Sequence, residues 1–197
     1  MRINQNNTYF IVGHHGVGKT FLCNLLEEYC GDILHLDCGP TVRFLHQQSG
    51  SLLSFRAWTQ EAVERYGDDF LSHGVLEEFK KQIALDEKSN TLVITGNRNP
   101  RHIEYLSKGL GVEKPSIIFV DSFFDLQKSN YENREGKILT NEEFQMLINH
   151  DVEMGIEKLK AYVQSNPEHC AMLFNFDNDS DRLLRQLLAI LARPISE

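Results

Sequence analysis

Short apolar runs alternate along this chain with longer stretches in which apolar residues recur at helical spacing. Residues 9–12 (Tyr9, Phe10, Ile11, Val12) form an unbroken apolar run of strand length, and a helix is predicted to follow over about 19–29. The same rhythm returns four times, with strands predicted over 33–37, 91–95, 116–121 and 170–176. The run over 116–121 is almost wholly apolar, as central parallel strands are when both faces of the sheet are covered. Further helices are predicted from 40 through 45, over 55–66 and 69–86, around 103–106, over 123–129, from 140 to about 163, and over 181–192. Phe70, Leu71, Val75, Leu76, Phe79 and Ile83 make the clearest stripe of period 3.6, which reads as core. Local signals mark the ends: Gly31 as a C-cap, Pro40 at a first helical position, Thr140 and Glu143 as a capping box, and Gly155 as a break. Residues 47–54 read as a polar turn, and 130–137 as a polar, mobile loop. Strands separated by helices give an α/β chain: a parallel sheet of about five strands with right-handed crossovers, in three αβα layers. No repeat or linker divides it, so 1–197 reads as a single domain.

The turn between the first strand and first helix changes the picture from fold to chemistry. Residues 13–20, "GHHGVGKT", match the phosphate-loop (Walker A) pattern G-x-x-x-x-G-K-[ST] without a mismatch, in the strand–loop–helix setting that the pattern requires. Gly13, Gly16 and Gly18 let the main chain come close to an anion, so that loop N–H groups and the helix N-terminus face it. Lys19 can reach β- and γ-phosphates, and the Thr20 hydroxyl suits Mg²⁺. His14, His15 and Val17 fill the free positions of this nucleotide-binding loop, the histidines reading as spacers. The expected ligand is ATP with Mg²⁺.

Two aspartates end predicted strands and compete for the metal or the nucleophile: Asp37, close to the loop, and Asp121 in "SIIFVD". An ordinary helix-capping role is the plain alternative for Asp121. Arg43, Arg98 and Arg134 are candidate phosphate ligands, because a guanidinium forks onto phosphate well; a solvated surface charge is the alternative for each. Phe55, Trp58 and Tyr66 read as core or as the wall of a pocket.

Composition narrows the partners. At 41% hydrophobic and 24% charged, the 197 residues can build a real core. A formal net charge of −8 argues against a nucleic-acid surface. The polar start, 1–7, has no apolar leader core, and no apolar run approaches membrane-spanning length. Cys23, Cys30, Cys38 and Cys170 show no C-x-x-C spacing and read as reduced thiols, so a cytoplasmic location is expected.

The order of parts resembles the nucleoside monophosphate kinase superfamily. The phosphate loop, then "DCGPTVR" (37–43), then "GNRNPR" (96–101), then an arginine-bearing polar segment and a closing strand and helix carry the resemblance, which is similar to the adenylate-kinase-like and dephospho-coenzyme A kinase-like branch. The resemblance implies a P-loop kinase fold and ATP-dependent phosphoryl transfer to a small, nucleotide-like acceptor. It implies acceptor-binding helices over about 40–86, with Arg43, Arg98 and Arg101 holding the acceptor, and a short lid over about 128–139. Arg134 would clamp the transferred group, Lys19 and Asp37 would act in catalysis, and the donor base would lie near 175–177. The chain departs from the pattern with a single lid arginine, histidine at His150 before Asp151, and Thr95 at the end of the third strand. A nucleotide-binding regulator without efficient transfer is therefore the alternative. Oligomeric state is not legible.

Overall fold

A computed structural model describes residues 7–67 and 69–191. The predicted final helix residue Ala192 and the polar start 1–6 lie outside the described residues. Among them are five strands and nine helices. The strands are β1 (Thr8–Val12), β2 (Ile33–Asp37), β3 (Thr91–Thr95), β4 (Ser116–Ser122) and β5 (Cys170–Asn175). The helices are α1 (Lys19–Cys30), α2 (Cys38–Gln48), α3 (Phe55–Tyr66), α4 (Phe70–Leu85), α5 (Pro100–Leu110), α6 (Phe124–Glu135), α7 (Asn141–Met154), α8 (Ile156–Ser165) and α9 (Ser180–Leu191). No helix among them is long and apolar enough to cross a membrane.

All pairings are parallel, in the order β2-β3-β1-β4-β5. β1 is central because it is apolar on both faces. Phe10 and Val12 join Leu92, Ile94, Ile117 and Phe119 in a layer covered by Val75, Leu76 and Phe79 of α4, Ile103 and Leu106 of α5, and Ile156 and Leu159 of α8. Tyr9 and Ile11 point the other way, with Val93, Ile118, Val120 and Leu173, onto Leu22 and Leu26 of α1 and Leu183 and Leu187 of α9. Alternate side chains of each strand thus feed opposite layers, which is the three-layer αβα architecture. The chain moves from one side of β1 to the other after β3. Ligand crevices in open α/β sheets form at such a reversal, at the strands' carboxyl ends.

The helix ends follow their signals. Gly31 closes α1 with φ +70°, and Thr140 and Glu143 form both bonds of the capping box. Gly155, at φ +106°, divides the predicted long helix into α7 and α8. Two corrections concern length. α2 begins at Cys38 rather than Pro40, because the Asp37 carboxylate accepts from the Gly39 N–H and starts the helix earlier. The larger one is α6: the stretch read as a mobile loop is helical through Glu135 and is closed by Gly136 at φ +63°. Lys128 pairs with Glu132 one turn on, and Tyr131 packs against Phe144. Its inner face is polar, so it has no apolar period to read. Phe55 and Tyr66 are exposed and Trp58 half-buried, so the core reading of these three gives way to a surface one.

Candidate functional site

The carboxyl ends of the strands bring the glycine loop, Asp37, the turn after β3 and the start of α6 together. Gly13 and Gly16 are where this closeness is paid for in side chain. A Cβ on Gly13, at φ +146°, would stand 2.2 Å from the Val120 carbonyl; one on Gly16, at φ +76°, would stand 1.9 Å from the Gln127 carbonyl. The loop is therefore wedged between β4 and α6 with main chain on both sides.

Lys19 Nζ donates to the carbonyls of Gly13 and His14, each at 2.7 Å. An ammonium has three donors, so this clasp leaves one for a ligand. Burial, then the positive charge of Arg98, push Lys19 down to about 7, against the pull of Asp151 and Asp37; Arg134 lowers it further. A lysine held in this way gains most when an anion enters the loop and restores its charge. Thr20, next along the first turn of α1, is exposed.

Next to the loop lies a buried ionic cluster. Asp151, near the end of α7, is 0% exposed. Its Oδ2 accepts from the His15 backbone N–H and from His15 Nδ1, both at 2.8 Å, and its Oδ1 pairs with Arg98 Nε. Arg98 Nη2 reaches His15 Nε2 at 3.0 Å. A guanidinium only donates and a carboxylate only accepts. His15 is thereby fixed as the neutral Nδ1–H tautomer, with Nε2 accepting. Burial, the largest influence, holds His15 below its ordinary pKa, as this tautomer requires. Burial alone would raise Asp151, but the neighbouring His14 ring, 3.6 Å away, the bonds from His15 and the charge of Arg98 outweigh it and hold the carboxyl well below the usual range. His14 directs Nε2 to Glu157 at 3.1 Å.

On the other flank, Asp37 caps α2 through Gly39, and its Oδ1 lies 2.6 Å from where a Cβ on Gly96 would be. Arg43, exposed on α2, turns back towards Gly39 and lies over the Phe55 ring, 5.8 Å from its centroid. Arg101 is on the first turn of α5, where Asn99 accepts from its backbone N–H.

Two solved structures share this architecture. A gluconokinase from Sinorhizobium meliloti 1021 superposes with TM-score 0.55 at 14% identity, over 98% of this chain and 94% of that one. TT1252 from Thermus thermophilus superposes with TM-score 0.61 at 17% identity, over 94% and 96%. The chain has the P-loop kinase fold. No family model and no curated protein matches the sequence.

Within this P-loop kinase fold, the candidate residues sort by position. Lys19, the 13–20 loop, Arg98 and Asp37 gather at the carboxyl edge of the sheet. Arg134, in the last turn of α6, contributes to the field at Lys19, yet its Nε is bonded to Glu135 at 2.8 Å and its guanidinium lies 5.1 Å from the Tyr131 ring centroid. Asp121 Oδ2 accepts from Lys160 of α8 at 2.7 Å, and its Oδ1 accepts from the Ser122 backbone N–H at 2.9 Å. His14 and His15 are anchors rather than spacers, since both reach Asp151 or Glu157.

Sequence reasoning missed Asp151 as a functional group, and it missed Gln127, Asn130, Asn175 and Asn178. Gln127 is buried and donates to the Ser122 carbonyl at 2.6 Å. Asn175 is fully buried at the end of β5. Asn178 has a positive φ of 58° without being glycine, a hint that appears only with coordinates. In the sequence, only the paired asparagines around the end of the last strand could have drawn attention to Asn175 and Asn178.

Proposed function

We propose that this chain is an ATP-dependent phosphotransferase acting on a small, nucleotide-like acceptor. The observation that carries the reading is Lys19, clasped across a complete phosphate loop, with its charge disfavoured until an anion arrives. The donor's phosphates lie on the loop N–H groups of 13–20, with Lys19 on the outer phosphates. The glycine cradle and the exposed Thr20 hydroxyl at its end fit a magnesium–nucleotide, and Asp37, at the carboxyl end of β2, is a carboxylate whose charge acts on Lys19. Mg²⁺, when bound there, neutralises charge on the phosphate oxygens. Arg98 and Arg43 orient the acceptor from the turn after β3 and from α2, with Arg101 at the entrance, and the 40–86 helices form its wall. Asp37 holds the acceptor nucleophile in line. Arg134 and the end of α6, with the 136–139 turn, close over the transferred group. Phosphoryl transfer asks the protein mainly for positioning and charge stabilisation, and these residues supply both. The likeness to a gluconokinase supports kinase chemistry and leaves the acceptor to experiment.

The engagement of Arg134 with Glu135 and Tyr131 favours a second reading, a nucleotide-binding regulator with little transfer. Titration calorimetry with Mg-ATP and a coupled ADP-release assay separate the two. The assay panel comprises nucleosides, nucleoside monophosphates and coenzyme precursors, with Lys19→Ala as the blank. Turnover above the blank with one acceptor class is expected. ATP binding without any such turnover sinks the kinase reading and leaves the regulator. Equal ATP affinity in Lys19→Ala sinks both.

A further inference from the structure

Three asparagine amides close a ring behind the phosphate loop. Asn130 Nδ2, on α6, donates to the Gly16 carbonyl at 2.9 Å and to Asn178 Oδ1 at 3.1 Å. Asn175 Nδ2, at the end of β5, donates to the Val17 carbonyl at 3.1 Å and to Asn178 Oδ1 at 2.8 Å. Asn178 returns both favours: its Nδ2 donates to Asn130 Oδ1 at 2.7 Å, and its backbone N–H donates to Asn175 Oδ1 at 2.9 Å. Both N–H bonds of the Asn130 and Asn175 amides are used. Their orientation is forced, because each faces a carbonyl that can only accept.

We propose that Asn130, Asn175 and Asn178 are positioning residues that hold the Gly16–Val17 and Val17–Gly18 peptides in their phosphate-binding orientation before a nucleotide arrives. In a trans peptide the C=O and the following N–H point in opposite directions. Pulling the Gly16 and Val17 carbonyls outward onto the asparagines therefore turns the N–H groups of Val17 and Gly18 towards the loop's interior. The ring also joins three separate pieces of chain, α6, the β5–α9 turn and the loop, so the cradle is set by tertiary contacts and not by the glycines alone. Glycines leave a loop free to sample many orientations, and freezing them in advance removes that cost from binding. This inference rests on the proposal that the loop binds a nucleotide.

Two variants suit the test. Asn178→Gly keeps the positive φ and deletes the amide at the centre of the ring. Asn130→Ala removes the part-exposed donor to Gly16. Calorimetric dissociation constants are measured for Mg-ADP and for inorganic tripolyphosphate, which reports on the cradle without a base, together with melting temperature. Each variant is expected to weaken both ligands by about tenfold, the size of one or two lost hydrogen bonds. Asn178→Asp sets a carboxylate oxygen against Asn130 Oδ1 and adds a negative charge behind the loop, and is expected to bind both ligands no better than Asn178→Gly. Affinities that stay at the wild-type level while the melting temperature falls would show a merely structural ring and overturn the proposal. A loss for Mg-ADP with none for tripolyphosphate would place the effect at the base and overturn it equally. Wild-type protein that binds neither ligand would instead remove the nucleotide reading, and the ring's role with it.

Discussion

Replacing Asp151 with alanine leaves Arg98 and His15 facing a space where their shared acceptor stood. Asp151 is fully buried; it accepts from the His15 backbone N–H and His15 Nδ1, and it is ion-paired with the Arg98 guanidinium. Removing one partner of a buried ion pair costs about 3–5 kcal/mol, because the other charge stays buried without compensation. Arg98 keeps 27% of its side chain exposed, so water can solvate part of it and the low end, about 3 kcal/mol, applies. For 197 residues, an unfolding entropy of about 2.1 cal/mol/K per residue gives about 0.4 kcal/mol/K, so the melting temperature should fall by about 7 °C. The assay is differential scanning calorimetry of wild type, Asp151→Ala, Arg98→Ala and the double variant. The double variant should be less destabilised than the two single effects together, by at least about 1 kcal/mol, because Arg98 no longer needs a partner once it is gone. The pH dependence follows from the same group. Its folded pKa lies below its unfolded value of about 3.9, so its contribution is present in full above that value and is lost as pH falls towards the folded pKa. The gap between wild type and Asp151→Ala should therefore hold down to about pH 4 and narrow steadily as pH falls below it. Additive energies in the cycle, or a gap that stays constant on acidification, would refute the reasoning.

Lys19, held at about 7, should take up a proton when polyphosphate enters the loop at about pH 8, since the anion raises its pKa. Calorimetry in buffers of different ionisation enthalpy measures this uptake, and heats independent of buffer would contradict it. Gly16→Ala should abolish nucleotide binding and lower the melting temperature, because its Cβ meets the Gln127 carbonyl at 1.9 Å; wild-type affinity would show that α6 yields easily. Asp37→Asn should raise the Mg²⁺ concentration needed for half-maximal nucleotide binding by about tenfold, whereas Asp121→Asn should leave it unchanged, since Asp121 is engaged by Lys160. A magnesium titration followed by calorimetry gives the answer, and the reverse pattern would move the metal to β4.

The strands, the phosphate loop, the capping box at Thr140 and the stop signals at Gly31 and Gly155 were legible in the chain because each is a local statement. A strand buried on both faces is a short apolar run, and a left-handed helix end selects glycine within a few residues. From these came the α/β class, the parallel sheet and the place of an anion site, and the structure has the first two. The inner face of α6 was not legible. Apolar period reports burial against apolar atoms, whereas Gln127 bonds the Ser122 carbonyl at the end of β4 and Asn130 bonds the Gly16 carbonyl of the phosphate loop. The same limit hid Asp151, which is joined to His15 and Arg98 across long stretches of chain. Asn130 and Gly16 are separated by 114 positions, and no spacing rule links them. The sequence alone determined which segment can hold a phosphate. Only the tertiary structure decided which amides and which carboxylate hold that segment in shape, because polar partners are chosen by donor and acceptor geometry, which exists only after the layers have packed.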